Sequence, residues 1–417
     1  MSDVTSTVSP VGTHLIPASA QRPGDDPIFA LNAEATRRAK AGEDVLNATL
    51  GALIEDDGQL AVMPSVFEAM ARIPPRQAAS YAPISGPPTF LNALLDDLYG
   101  GSSLRQQSVA IGTPGGTGAL YSAIVNFLEP GQKLLTTSFY WSPYAILADH
   151  ARRGVATFRM FAVDGSLDLE SLEREVAALM AAQGRVLLVL NTPCHNPTGF
   201  SLDADEWTAL EGILIAAQRR GNVTLLLDLA YEKFARPDSP AWRPHVERLT
   251  ESGVPVLVAW TASKAFTQYG GRIGALVATH PDSKERERYK NALGYSCRGT
   301  WSNCNHLGML AVGNVLTDAG LREKSMHERE ALRDLLDRRV VAFNREAGRA
   351  SLLYPRYEGG FFVCVFCDDS AAVVRHAQAR GVFVVPLPGA VRVALCSTPQ
   401  SQVPRLVDAL AAAGASR

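Results

Sequence analysis

The chain is 417 residues long, more than one ordinary core can fill, so two or three packed domains are expected. Its 47% hydrophobic and 20% charged residues make an ordinary globular composition, and a net charge of −2 carries no basic surplus for nucleic acid or an anionic membrane. No apolar run reaches about 18 residues, which excludes a membrane-spanning helix.

The first 26 residues lack a basic start followed by an apolar stretch. They read as a polar arm, loose or laid over a neighbour, and not as a secretory signal. From about residue 105 to 280, short apolar runs alternate with amphipathic stretches. The first strand is expected at 109–111. It runs into GTPGGTGAL, residues 112–120. Glycines let backbone approach an anion, and the helix that follows offers free N–H groups at its start. This is a phosphate cradle or, more plainly, a tight strand-to-helix turn. It lacks the GxGxxG spacing of a dinucleotide site and the GKS/T ending of a nucleoside-triphosphate loop. Leu120, Ile124, Phe127 and Leu128 share one face of the following helix.

A second strand is expected at 134–140, then a helix whose apolar face holds Leu172, Val176 and Leu179. The third strand, 186–190, ends in NTPCHNPTG, residues 191–199. Its turn-forming residues present Asn196, an amide able to donate to a ring oxygen. His195 reads as a satisfied loop histidine. The fourth strand, 224–227, delivers Asp228, with Tyr231 three residues on. A carboxylate at the end of an apolar strand needs a partner. A protonated pyridine nitrogen would serve, as would a helix cap or a salt bridge. The fifth strand, 256–260, leads into WTASKAFTQYGGRIG, residues 260–274. Lys264 follows the strand directly among small residues. Screened from water there, its amine can form a Schiff base; a snorkelling surface lysine is the plainer reading. Thr261, Ser263 and Arg272 supply hydroxyls and a guanidinium suited to phosphate. A sixth strand follows at 273–278.

Strand and helix repeated in this way give a mostly parallel sheet between helices, with its site at the carboxyl ends of the strands. Each motif falls at or just past such an end. Beyond residue 310 the pattern changes. A long charged helix is expected at 318–345, then a smaller α/β unit with strands at 361–366 and 391–395 and a last helix at 406–412. The domain division expected is 1–60 for the arm and part of the small domain, 61–317 for the large domain, and 318–417 for the long helix and the rest of the small domain. The six cysteines, including the CxxC of Cys364 and Cys367, read as buried free thiols and not as a metal or redox site, with the cytoplasm as default compartment.

TPGGTGAL (113–120), CHNPTG (194–199), DxAY (228–231) and SKxFxxxxxRxG (263–274) stand in one order and spacing. With them the chain resembles the fold-type I, class I aminotransferases of the aspartate/aromatic branch, from about Asp26 to the C-terminal helix. The resemblance implies a large domain with a mostly parallel seven-stranded sheet, a smaller α/β domain, and pyridoxal 5′-phosphate as cofactor. It implies that Lys264 holds the cofactor and moves the proton, that Asp228 pairs with the pyridine nitrogen, and that Asn196 and Tyr231 hold the 3-oxygen. Trp141 would stack on the ring, and Gly116, Thr117, Thr261, Ser263 and Arg272 would bind the phosphate. Tyr81 would reach the neighbouring subunit's phosphate in a homodimer with shared sites. Arg392 would grip the substrate α-carboxylate with backbone help from Gly51, and Arg298 would take a distal carboxylate across the interface, near Asn303 and Phe362. The reaction implied is ping-pong transamination of aspartate or an aromatic amino acid with 2-oxoglutarate. A decarboxylase or lyase on the same scaffold, or a regulator that binds ligand without catalysis, are the alternatives. Three positions depart from the branch. Tyr144 and Asn191 stand where histidines are usual behind the aspartate, and Ile54 replaces an entrance lysine.

Overall fold

The computed structural model describes residues 13–24 and 27–415; the polar arm's residues 1–12, 25 and 26 lie outside the described residues. A seven-stranded sheet forms the centre. Its strands are β1 (Ser108–Pro114), β2 (Lys133–Thr137), β3 (Gly154–Phe158), β4 (Arg185–Asn191), β5 (Asn222–Asp228), β6 (Val256–Thr261) and β7 (Ile273–Thr279). The spatial order is β1-β7-β6-β5-β4-β2-β3. Neighbours are parallel except for β7, which runs antiparallel to both β1 and β6. Every residue of β6 and β7 is buried, as a sheet covered on both faces requires.

Strand β2 stops at Thr137 and does not continue to 140, because the Thr137 hydroxyl turns onto the Phe139 carbonyl and draws the chain out of the ladder. Strand β3 was not anticipated. It is a half-exposed edge strand of sequence GVATF whose pattern is too short and too mixed to stand out.

The helices between strands start and stop where their end residues dictate. Leu169–Gln183 begins at Asp168, whose carboxylate accepts the Ser171 N–H at 2.8 Å, and ends at Gly184 with φ 70°. It buries Leu172, Val176 and Leu179. The helix Gly115–Phe127 packs Ala119, Leu120 and Ile124 inward against the sheet's other face.

The long helix is Ala319–Arg349, capped by Asp318 through the Leu321 N–H at 2.9 Å. Beyond it, Val385–Leu387, Ala390–Ala394 and Phe362–Phe366 form an antiparallel three-stranded sheet in that spatial order. The last helix, Val403–Ala412, packs against the long helix and adds Leu406 and Val407 to the same core. Leu46–Asn47 pairs in parallel with Val382–Phe383, so an early segment lies with the last hundred residues. Leu46, Phe343, Val363, Val391 and Leu406 share this smaller core. No helix among the described residues is long and apolar enough to cross a membrane. All six cysteines are free thiols.

Candidate active site

The carboxyl ends of β5 and β6 face one cavity. Its lining includes Asp228, Tyr231, Lys264, Asn196, Trp141 and Arg272. Strand β5 runs through Leu225, Leu226 and Leu227 to its final residue, which is Asp228. One carboxylate oxygen accepts the Tyr144 hydroxyl at 2.7 Å and the other accepts the Ala230 N–H at 3.1 Å. Burial pushes this carboxyl up, while Tyr144, the Ala230 N–H and the nearby Lys264 hold it down. The site thus contains a buried acid whose charge depends on what stands opposite.

Lys264 stands in the short helix Ala262–Ala265, immediately past β6. Burial lowers its amine to about 8, and the Arg272 cation acts in the same direction. Its Nζ lies 5.8 Å from the Tyr231 ring centroid and 5.0 Å from that of Tyr269. Asn196 donates to the Tyr231 hydroxyl at 3.3 Å. Asn191 links this pair to the acid through its side chain: its Oδ1 accepts the Asn196 N–H at 2.6 Å and its Nδ2 donates to the Asp228 backbone carbonyl at 2.8 Å.

The opposite end of the cavity is built for an anion. Gly115 adopts φ +69°, and a Cβ there would lie 2.5 Å from the Arg272 Nη2. A Cβ on Gly116 would meet Thr261 at 3.4 Å. Glycine is therefore what lets the helix start close up against this corner. Arg272 donates to Ser263 Oγ at 3.3 Å and to the Tyr269 carbonyl at 2.9 Å, and reaches Thr117 Oγ1 at 3.5 Å. Thr261 donates to Ser263 at 3.0 Å. Hydroxyls, a guanidinium and the first N–H groups of Gly115–Phe127 converge here, which fits a phosphate group. Trp141 meets Tyr144 edge-on at 5.7 Å and 89° and lines the cavity beside Asp228. A pyridinium between Asp228 and Lys264, with its phosphate at this corner, matches the donors and charges present.

The small domain contributes Arg392. It donates to the Thr49 carbonyl at 2.7 Å and lies 4.4 Å over the Phe362 ring. A Cβ on Gly51 would press that ring at 3.0 Å, so Gly51, Phe362 and Arg392 form one group. They stand outside the cavity lining proper, but Arg392 acts electrostatically on Tyr231 and on Cys396, which also neighbours Lys264. Tyr81 and Arg298 are not brought to the cavity: Tyr81 is 91% exposed, and Arg298, exposed near the end of the helix Ser283–Thr300, donates to Ser302 Oγ at 2.5 Å. Asn303 also lies outside the lining. His195 is buried between Thr198 (2.8 Å) and Thr137 (3.3 Å), and burial depresses it to about 3, so it is a neutral loop histidine.

Sequence reasoning missed Tyr269 and Cys396. Tyr269 accepts the Leu53 N–H at 2.9 Å while its ring faces Lys264, and its only signal was its place five residues beyond that lysine. Cys396 has no signal short of the fold.

The aminotransferase class I and II family model matches residues 43–410. The chain is 30% identical over 315 residues to an aromatic-amino-acid aminotransferase of Paracoccus denitrificans, covering 74% of this chain and 77% of that protein. It is 28% identical over 324 residues to an aspartate aminotransferase of Pseudomonas aeruginosa, covering 74% and 78%. Among solved structures, an aminotransferase from Anaerococcus prevotii superposes with a TM-score of 0.90 at 30% identity, over 96% of this chain and 98% of that one. An aromatic amino acid aminotransferase from Burkholderia cenocepacia gives 0.81 at 25% identity, over 94% and 97%. With the fold, the anion corner and the lysine–aspartate pair, these matches place the chain in the class I and II aminotransferases, as a fold-type I, pyridoxal-phosphate-dependent enzyme of the aspartate/aromatic branch that transaminates amino acids.

Proposed function

We propose that the enzyme transfers the amino group of aspartate or an aromatic L-amino acid to 2-oxoglutarate by a ping-pong mechanism, with Lys264 as the covalent anchor of the cofactor. The observation that carries this reading is the single cavity in which a lowered-pKa lysine faces a buried aspartate beside an anion corner. When bound, pyridoxal phosphate supplies an electron-poor ring that takes up the charge left when the substrate α-proton departs.

The chain's own residues do the rest. Lys264, neutral for an appreciable fraction of the time because it is buried, would accept the α-proton and return it to the cofactor's C4′ carbon. Asp228 places an anion under the ring nitrogen, where it favours the protonated form. Asn196 and Tyr231 hold the 3-oxygen, and Trp141 covers one ring face. Gly116, Thr117, Thr261, Ser263 and Arg272 bind the phosphate. Arg392, its direction set by the Thr49 carbonyl, takes the α-carboxylate with the Gly51 backbone and orients the α-C–H. Arg298 and Tyr81 serve the site of a second copy in a homodimer; their exposure in one copy supports this. The six free thiols fit a reducing compartment, and we place the enzyme in the cytoplasm.

The test is a half-reaction screen. The holoenzyme is mixed in turn with aspartate, phenylalanine, tyrosine and glutamate, and the cofactor absorbance and released product are followed. One equivalent of 2-oxo acid per site is expected, with the amino group recovered as glutamate once 2-oxoglutarate is added. Carbon dioxide release without amino transfer would replace this reading by a decarboxylase.

A further inference from the structure

Tyr144 stands where the branch usually carries a histidine, and its surroundings give that change a consequence. It is the second residue of the helix Pro143–His150 and is 1% exposed. Its N–H donates to the Trp141 carbonyl at 2.9 Å, which ties the helix start to the loop carrying Trp141. Its ring lies parallel to Tyr140 at 6.3 Å and edge-on to Trp141 at 5.7 Å. These contacts leave the phenol little freedom, and its hydroxyl donates to Asp228 at 2.7 Å. The same side chain thus braces both Trp141 and the Asp228 carboxylate.

Resting on the reading that Asp228 faces that nitrogen, we infer that Tyr144 is a positioning residue whose neutral hydroxyl keeps Asp228 ionised and aimed, so that protonation of the cofactor ring depends on a phenol. A phenol offers one donor here and takes no positive charge, unlike an imidazole. Burial and the adjacent carboxylate hold its proton firmly, so it donates throughout the working pH range. Without it, Asp228 would keep the Ala230 N–H in an otherwise desolvated place. The carboxylate would then hold a proton more tightly, and the proton shared with the ring nitrogen would move toward oxygen. The ring would lose positive charge and draw electrons less strongly. Asn191 cannot substitute, since it bonds the Asp228 backbone carbonyl and not the carboxylate.

The experiment compares wild type with Tyr144→Phe, which keeps the ring packing, and Tyr144→His, which restores a donor. Each holoenzyme is loaded with pyridoxal phosphate labelled with 15N in the ring, and the nitrogen resonance is read by NMR. Wild type should show the protonated position, Tyr144→Phe a displacement toward the unprotonated one, and Tyr144→His a partial return. In Tyr144→Phe, kcat should fall about tenfold to a hundredfold, the scale of a lost hydrogen bond to a charged group, while KM stays within about threefold. A protonated wild type with an indistinguishable Tyr144→Phe resonance overturns the role of Tyr144 alone. An unprotonated wild-type ring overturns the reading of Asp228, and the inference with it.

Discussion

The place where β6 leaves Lys264 sets the state of its amine. An exposed lysine amine is almost wholly charged at neutral pH and is a poor nucleophile. Here burial brings the value down to about 8, with Arg272 adding to the effect. The sign is plain: the neutral amine is the form that captures an aldehyde, and its fraction rises as pH climbs through the lowered value. Cofactor-free enzyme mixed with pyridoxal phosphate from pH 6 to 10 should therefore take it up faster by about tenfold per pH unit below 8, then level off. Stopped-flow absorbance reads this directly, and a rate still climbing at pH 10 would show that the capturing lysine is not desolvated. Lys264 and Asp228 were legible in the sequence through the motifs around them, SKxFxxxxxRxG and DxAY, more than through their places at strand ends, where a surface lysine or a salt bridge is the plainer reading. Tyr269 and Cys396 were not. Their proximity to Lys264 is tertiary, and the Tyr269 anchor, Leu53, is 216 residues away.

The turn between β1 and its helix shows how an element makes a binding corner from backbone. Gly115 holds a left-handed φ that costs most residues about 1 kcal/mol or more, and a Cβ would press the Arg272 guanidinium. The obstructing atoms belong to the end of a flexible side chain, so Gly115→Ala should still fold. Arg272, however, would have to leave Ser263 and Thr117. Cofactor affinity should fall about tenfold to a hundredfold, with a drop of only a few degrees in the Tm of the cofactor-free protein. Equilibrium titration and calorimetry separate the two effects, and an unchanged affinity would remove Arg272 from the phosphate set. The elements themselves were legible in proportion to their burial. Strands β4, β5 and β6 are nearly continuous apolar runs and were located to within a residue or two. The edge strand β3 and the two-residue pairing of Leu46–Asn47 with Val382–Phe383 escaped, being short and stabilised by their neighbours more than by their own pattern.

At the scale of the whole molecule, periodicity pointed to a mostly parallel sheet but could not reveal that β7 alone is reversed, since a fully buried strand reads alike in both directions. Nor can one chain's pattern carry contacts between copies; those rested on the resemblance. The structure leaves two residues of that set without a task in their own cavity. Tyr81 is 91% exposed, and Arg298 lies outside the lining with Ser302 as its hydrogen-bond partner. In a twofold dimer each copy can lend the same surface to the other. A shared site makes a particular demand on paired defects. In the proposed shared site, Lys264→Ala would remove the anchor from its own site, and Arg298→Ala would remove the distal carboxylate partner from the neighbour's site. Each variant alone should be nearly inactive toward aspartate. In a mixed dimer, one site has lost both groups while the other retains both. After subunit exchange at equal amounts, half of the dimers are mixed, so about a quarter of all sites should work. The measurement is aspartate-dependent turnover before and after exchange under mild denaturant, with mixed dimers counted by native mass spectrometry. Activity rising in proportion to the mixed species is expected. Mixed dimers present at half abundance with no recovered turnover would place Arg298 in its own chain's site.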